Sequence, residues 1–518
     1  MSIEKAFRSY YKKNVNPNLK ATDFCDRLGI SRVHPQKSKL RRYHNPYKTT
    51  ALVAAGVAGA IFVVAPAALI LAMSIKVESH PHASIITYSL REKAIMEQDT
   101  FRALNKVDYS EQEFSKQEVG EDYRKAVNSF AYSLTSGVDL SSGCVYSPLT
   151  AYVAMDLFSF AADTPTREIY SSALGSGAMR NRDYSSMLRT NFYLDDNGTT
   201  QLYNAIFFNS DQGYAPKQSY VDFLSSRKAE AFTSSFHNDL DQIAAWANEK
   251  AGENWVSPAS FPKFSDDSVL LDVSYLYFKG RWATSFLKEA THKRTFHGKK
   301  GDTSVDFMRH VRSSYWVASI DKIEPGFGAY EYEDYFSVYD QYRNLYTIQY
   351  LVPKEDDADI FKILEGVNYF EEDPEAYYFM PHEGEGKHNR AGTVIEYLVP
   401  KFEMSSSVDL TEAFQKTSLS PLFGHGIVGG GAFAEAFDYG ENQIDYSGIE
   451  WAKQINSIQF NEDGSIAKSV HFQNGFAAGA AAPSATGISL ELNQPFVYVI
   501  RDPNGLPMFV GSVTDLSE

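Results

Sequence analysis

The chain has 518 residues, 43% of them apolar and 14% aromatic, with a formal net charge of −16. That is enough apolar material for a substantial core and enough length for more than one domain. The acid excess argues against nucleic acid as a partner of the main domain.

The charge is unevenly placed. Residues 1–50 hold 12 Lys or Arg against 3 Asp or Glu. The run from Ala51 to Met73 then has no charged residue. It is long enough to span a bilayer, so residues 49–75 read as a transmembrane signal anchor, with 1–48 as a basic cytoplasmic tail. Positive-inside bias then puts the rest of the chain outside the cell or in a lumen; cleavage after the Ala-rich end, with secretion, is the alternative. Beyond residue 50 the chain has 37 basic and 62 acidic residues, which also argues against heparin-like polyanions. The two cysteines, Cys25 and Cys144, fall on opposite sides of the proposed membrane, so no intramolecular disulfide is expected. Asn197 of "NGT" is a candidate N-glycosylation site.

Residues 76–122 are polar, charged and weakly periodic, and read as a stalk with no core of its own. "YRKAVNSFAYSLTSG" then puts Val127, Phe130, Ala131 and Leu134 on one helical face and stops at Gly137. "VYSPLTAYVAMDLFSFA" predicts a short strand, a Ser-Pro turn and a strongly apolar helix, with a break at Thr164–Pro165. Helices are expected to dominate to about residue 260, including "QIAAWANEKAGE", and strands thereafter. A helical first half and a strand-rich second half predict an α+β domain over 123–518.

Several motifs in this order resemble one family, the serpins. "YSPLTAYVAM" (Tyr146–Met155) is similar to the family's Ser-Pro-Leu-Ser entry to its buried second helix. "YFKGRWATSF" (Tyr277–Phe286) and "TFHGKKGDTSVDFMRH" resemble the family's strand end and the stretch after it. "VPKFEMSSSVDL" (Val399–Leu410), "DYSGI" (Asp445–Ile449) and "IQFNEDGS" (Ile458–Ser465) follow in family order. "LELNQPFVYVI" (Leu490–Ile500) fits the C-terminal signature at every position.

The resemblance implies a serpin fold: a helical N-terminal half, a large central antiparallel sheet, further sheets and an exposed reactive loop. It also implies that the small-residue tract "NGFAAGAAAPSATG" (Asn474–Gly487) belongs to a bait loop, which inserts into the central sheet once a protease cuts it. Inserted positions alternate in and out, so inward ones must be small. With Gly464 as the turn glycine, Ser465, Ala467 and Ser469 satisfy this, whereas the fourth position is His471. That register places the scissile bond near Ala478, beside Phe476 and Ala477. A second register takes Gly475 as the turn and puts bulky Phe476 at the first inserted position. The candidate target is an elastase-like or chymotrypsin-like protease, because no Lys or Arg lies between Lys468 and the signature. By resemblance, Ser147, Thr150 and Ser274 belong to a buried polar cluster controlling sheet opening; Ser274 stands where the family has Asn, and the family's His before the hinge is absent. Trp282 matches the tryptophan at the top of that sheet.

"GHGIVG" (Gly424–Gly429) has neither a strand feeding it nor a long helix after it, so it is no nucleotide fingerprint. "HEGEGKH" (His382–His388) lacks the histidine spacing of a metalloprotease helix. No catalytic constellation, cofactor or metal site is expected. The leading expectation is a membrane-displayed inhibitor of serine or cysteine proteases, and the alternative is a non-inhibitory serpin-fold binding or adhesion module.

Overall fold

The computed structural model describes residues 100–110, 112–252, 254–313, 328–356, 358–371, 377–378, 394–423, 427–428, 431–440, 446–465 and 487–517, all within a compact unit spanning Asp99–Glu518. Strand β1 (Arg102–Ala103) comes first, inside the stretch where the sequence predicts no core. The next expected helix forms as α1 (Glu121–Thr135), acidic in its first turn, with Val127, Phe130, Ala131 and Leu134 buried. Strand β2 (Val145–Tyr146) leads through Ser147 into α2 (Pro148–Ala161). Ser147 Oγ accepts from the Thr150 backbone N–H, and Pro148 occupies a first-turn position that needs no donor. Nearly every α2 residue is buried, so the helix has no polar face and runs through the core. Helix α3 (Thr164–Leu174) begins at the predicted break, capped by Asp163, and α4 (Gly177–Thr190) follows.

The next segment departs from the helical expectation. It holds β3 (Phe192–Asp195), β4 (Gly198–Asn209), β5 (Ala215–Pro216), α5 (Gln218–Ser226), β6 (Ala229–Ser234) and α6 (Leu240–Ala251). The long strand β4, "GTTQLYNAIFFN", is buried on both faces, so it carries no polar-apolar alternation by which to be recognised. Strand-rich structure follows: β7 (Leu270–Arg281), β8 (His292–Gly298), β9 (Gly301–Ser313), β10 (Gly328–Glu331), β11 (Tyr335–Gln341) and β12 (Thr347–Pro353). Then come the short helix α7 (Ile360–Ile363), β13 (Tyr377–Tyr378), β14 (Val394–Pro400), β15 (Phe402–Asp409) and α8 (Thr411–Gln415). The chain ends with β16 (Ile427–Val428), β17 (Phe437–Asp438), β18 (Tyr446–Ser447), β19 (Lys453–Asn461), β20 (Gly464–Ser465), β21 (Gly487–Glu491), β22 (Phe496–Arg501) and β23 (Pro507–Val513).

These strands build an α+β architecture around a central eight-stranded sheet, ordered β1-β6-β4-β7-β20-β19-β15 with β3 paired to β4. A seven-stranded sheet, β13-β10-β11-β12-β22-β23-β2, and a four-stranded sheet, β21-β14-β9-β8, complete it. The C-terminal signature strand β22 is wholly buried between β12 and β23. Helix α6 covers one face of the central sheet through a separate cluster in which Ile243, Trp246 and Ala247 meet Phe207, Phe232 and Leu271. Successive β7 side chains alternate, Leu271 and Val273 toward α6 and Leu270, Leu276 and Phe278 toward the main core.

Candidate functional site: a gap in the central sheet

Strand β7 pairs with β4 along its length, and β19 pairs with β15 along its length. Among the described residues, only the two-residue β20 lies between β7 and β19, and it pairs with both: Gly464 faces Arg281 and Asn461, and Ser465 faces Gly280 and Phe460. Among the described residues, the rest of the β7 and β19 edges makes no ladder across this gap. A cavity of about 760 Å³ fills the space, with Ser147, Thr150, Asp272, Ser274, Gln454 and Ser465 among its lining residues. Two sheet edges that face each other across such a space are the complement of one further strand.

The start of that strand is held firmly. Gly464 has φ +151, and a Cβ there would run into the Gly280 carbonyl, so the turn requires glycine. Ser465 is 1% exposed, with its Oγ 2.6 Å from the Tyr342 hydroxyl. Tyr342 stacks on Trp282 at 4.5 Å, and the Trp282 indole N–H donates to the Asn461 carbonyl at 2.9 Å. Just before the turn, Glu462 accepts from Lys401 Nζ (3.1 Å) and Thr291 Oγ1 (3.0 Å). Burial pushes the Glu462 carboxyl pKa up, but its own backbone N–H, Lys401 and Thr291 together outweigh that and hold it below the usual range. At the opposite end Glu450, which precedes β19, accepts from Ser268 Oγ at 2.8 Å and from Ser265, both preceding β7.

The four residues assigned to sheet control divide between the two walls and the top of the gap. Ser147 and Thr150 meet through Gln454 on β19: its Oε1 accepts from the Ser147 N–H (2.8 Å), and its Nε2 donates to the Ser147 carbonyl and Thr150 Oγ1, each at 2.9 Å. Ser274 lies on the other wall, its Oγ 2.8 Å from Asn204 Oδ1 and 3.0 Å from Asp272 Oδ2. Among the described residues, Asp272 Oδ1 has no hydrogen-bond partner. Burial pushes the Asp272 pKa up to about 7, opposed only by the Ser274 hydroxyl. Trp282 sits at the top, fully buried.

Sequence reasoning missed Gln454, Asp272 and Asn204. Gln454 bonds both Ser147 and Thr150 from β19, and a polar side chain inside the strand "KQINSIQFN" was its signal. Asp272 was signalled by an acid interrupting "VLLDVSYLYF". Asn197 is exposed in the β3–β4 turn, beside Arg343, whose guanidinium donates to its Oδ1 at 3.5 Å. Ala467, Ser469, His471, Phe476, Ala477 and Ala478 lie outside the described residues, as do residues 49–75, the whole of "HEGEGKH" and most of "GHGIVG". No helix among the described residues is long and apolar enough to cross a membrane.

Residues 125–516 match the family model described as Serpin (serine protease inhibitor). The chain is 23% identical to Serine protease inhibitor 2 of Anopheles gambiae, over 67% of this chain and 75% of that one. It is 24% identical to Iripin-2 of Ixodes ricinus, over 55% and 67%. Among solved structures, the native thermophilic serpin tengpin superposes with a TM-score of 0.62 at 20% identity, over 80% of this chain and all of that one. Serpin48 of Tenebrio molitor gives 0.57 at 18% identity, over 77% and 99%. With its fold, motif order and some three quarters of its length in agreement, the chain belongs to the serpin family.

Proposed function

We propose that this serpin inhibits a serine or cysteine protease, with residues 466–486 as the bait. The protease nucleophile attacks a scissile carbonyl near Ala478, the C-terminal peptide leaves with its new amine, and an acyl-enzyme remains. The severed strand then enters the gap between β7 and β19. The acyl-enzyme is carried with it, and distortion of the protease's oxyanion hole and catalytic residues stops deacylation. The observation that carries this reading is the gap itself: two sheet edges that, among the described residues, are joined only by Gly464 and Ser465, which pair into both. Small side chains at Ser465, Ala467 and Ser469 suit such entry. Ser147, Thr150, Gln454, Ser274 and Trp282 set how readily the sheet opens, and Asn197 is a glycosylation acceptor on an exposed turn.

The absence of basic residues after Lys468 favours an elastase-like or chymotrypsin-like target, and residues 49–75 would hold the inhibitor at a membrane with the serpin domain outside or in a lumen. The second reading, a non-inhibitory binding module, draws support from Asp272 in the gap wall and His471 at an inward loop position, since neither suits a dry inserted strand. Incubation with elastase and chymotrypsin, followed by denaturing gels and mass spectrometry of the released peptide, separates the two. A complex surviving denaturation, with cleavage near Ala478, supports inhibition. Cleavage of the loop without any complex supports the binding module.

A further inference from the structure

We propose that residues 100–120 form an intramolecular strap that resists opening of the gap. The inference rests on the loop-insertion reading for its consequence, though the strap's mechanical role can be tested without it.

The sheet on one side of the gap moves as a block. Strands β7, β4 and β6 are laddered together, and α6 is joined to them through its own apolar cluster. Widening the gap beside β7 therefore displaces this block from β19, β15 and the helices beneath, because packed elements shift as rigid bodies. The strap is attached on both sides of that motion.

Its first half grips the block. Strand β1 adds to the free edge of β6, Arg102 facing Thr233 and Ala103 facing Phe232, and the Leu104 N–H donates to the Ala231 carbonyl at 2.7 Å. Asn105 extends the pairing with its side chain: Oδ1 accepts from the Ala231 N–H (2.8 Å), and Nδ2 donates to the Ala229 carbonyl and Ser225 Oγ, each at 2.9 Å. Thr100 Oγ1 donates at 2.6 Å to Asp239, the residue at the N-terminus of α6. Phe101 stacks on Phe232 at 5.2 Å within the α6 cluster. Near the far end of α6, the Tyr109 ring covers Lys250 Nζ at 5.3 Å, and its hydroxyl donates to the Lys228 carbonyl at 2.7 Å.

The second half grips the body. The Gln117 N–H donates to Thr190 Oγ1 at 2.9 Å, and its carbonyl accepts from Asn504 Nδ2 at 3.0 Å, in the turn between β22 and β23. The Gly120 N–H donates to Asp183 on α4 at 3.1 Å. Phe114 spans the two sides: it packs edge-on at 5.1 Å against Tyr193 of β3, which ladders to β4 and so belongs to the block, and lies 6.4 Å from Tyr346 of the body. A segment with so polar a composition gains its order from these hydrogen bonds and from a few apolar side chains, Phe101, Leu104, Phe114 and Val119, packed on the core clusters, which suits a restraint that can be released.

The test uses the full chain, purified in mild detergent, and two variants: Asn105→Ala and Phe101→Ala/Asn105→Ala. Hydrogen exchange is read on peptides covering β7, β19 and α2. Exchange in β7 and β19 should rise by roughly tenfold or more when the Asn105 hydrogen bonds are lost, with α2 unchanged and the double variant larger still. Faster exchange confined to residues 100–120, with β7 and β19 unaltered in both variants, overturns the proposal. Global acceleration in the double variant marks a failure to fold and leaves Asn105→Ala to decide. Separately, wild-type and variant chains are nicked in the loop and heated. If the nicked wild type gains no heat resistance, loop insertion fails while the exchange result still judges the strap.

Discussion

Asp272→Asn should make the stability of this protein less dependent on pH, in a direction fixed by the burial of Asp272. An aspartate in an unfolded chain ionises near its ordinary value of 3.8, whereas in the folded protein the proton is held to about 7. Between those values the folded state binds the proton that the unfolded state has released, so stability falls as pH rises from about 4 to about 7 and stays lowered above that. A difference of about three pKa units corresponds to a ceiling of about 4 kcal/mol. Asn at this position can still bond Ser274 and carries no charge to desolvate. For a unit the size of Asp99–Glu518, an unfolding entropy of about 2.1 cal/mol/K per residue gives about 0.9 kcal/mol per kelvin, so the ceiling corresponds to about 4–5 °C. Thermal scans of both proteins from pH 4 to pH 8 should therefore nearly coincide at pH 4, diverge progressively up to about pH 7 and stay apart above it, with Asp272→Asn the more heat-stable at pH 8. A melting-temperature difference that stays constant across this range would refute the reasoning.

On the inhibitory reading, Ser465→Arg should favour simple cleavage over trapping: a guanidinium cannot be buried against Tyr342 and Trp282, and removing the partner of a buried group costs about 1–3 kcal/mol before any charge penalty. Gels should show more cleaved serpin and less covalent complex than wild type. Gly464→Val should lower the melting temperature, because a side chain meets the Gly280 carbonyl in a backbone conformation that β-branched residues avoid. Glu450→Ala removes the acceptor of Ser265 and Ser268 across the far end of the gap, so hydrogen exchange in β7 and β19 should quicken while α2 exchange does not. Asp156→Ala leaves Arg180 and Arg227 buried without the carboxylate that lies 2.6 and 3.1 Å from them; a loss of about 3–5 kcal/mol should appear as a lower urea midpoint.

The parts of the fold legible in the sequence are those where local chemistry and burial agree. The Ser-Pro entry to α2, the amphipathic face of α1 and the C-terminal signature each state their structure locally. Strand β4 was hidden because a strand buried on both faces has the composition of a buried helix. Strand β1 was hidden because its order comes from the edge of β6, far away in sequence, and from Asn105 serving as a surrogate backbone. At the candidate site, motif order located Ser147, Thr150 and Trp282. Gln454 and Asp272 became visible only when strand pairing set them against opposite walls of one gap. That pairing is a relation between distant strands, which no local pattern encodes.

The most direct test of loop insertion is the heat resistance of the serpin domain before and after a single cut between residues 466 and 486. Entry of about ten loop residues between β7 and β19 would form roughly twenty backbone hydrogen bonds, at a net of about 0.5–1.5 kcal/mol each. The nicked protein should therefore melt at least about 10 °C above the intact one. An unchanged or lower melting temperature after the cut would contradict insertion and leave the gap without the role assigned to it.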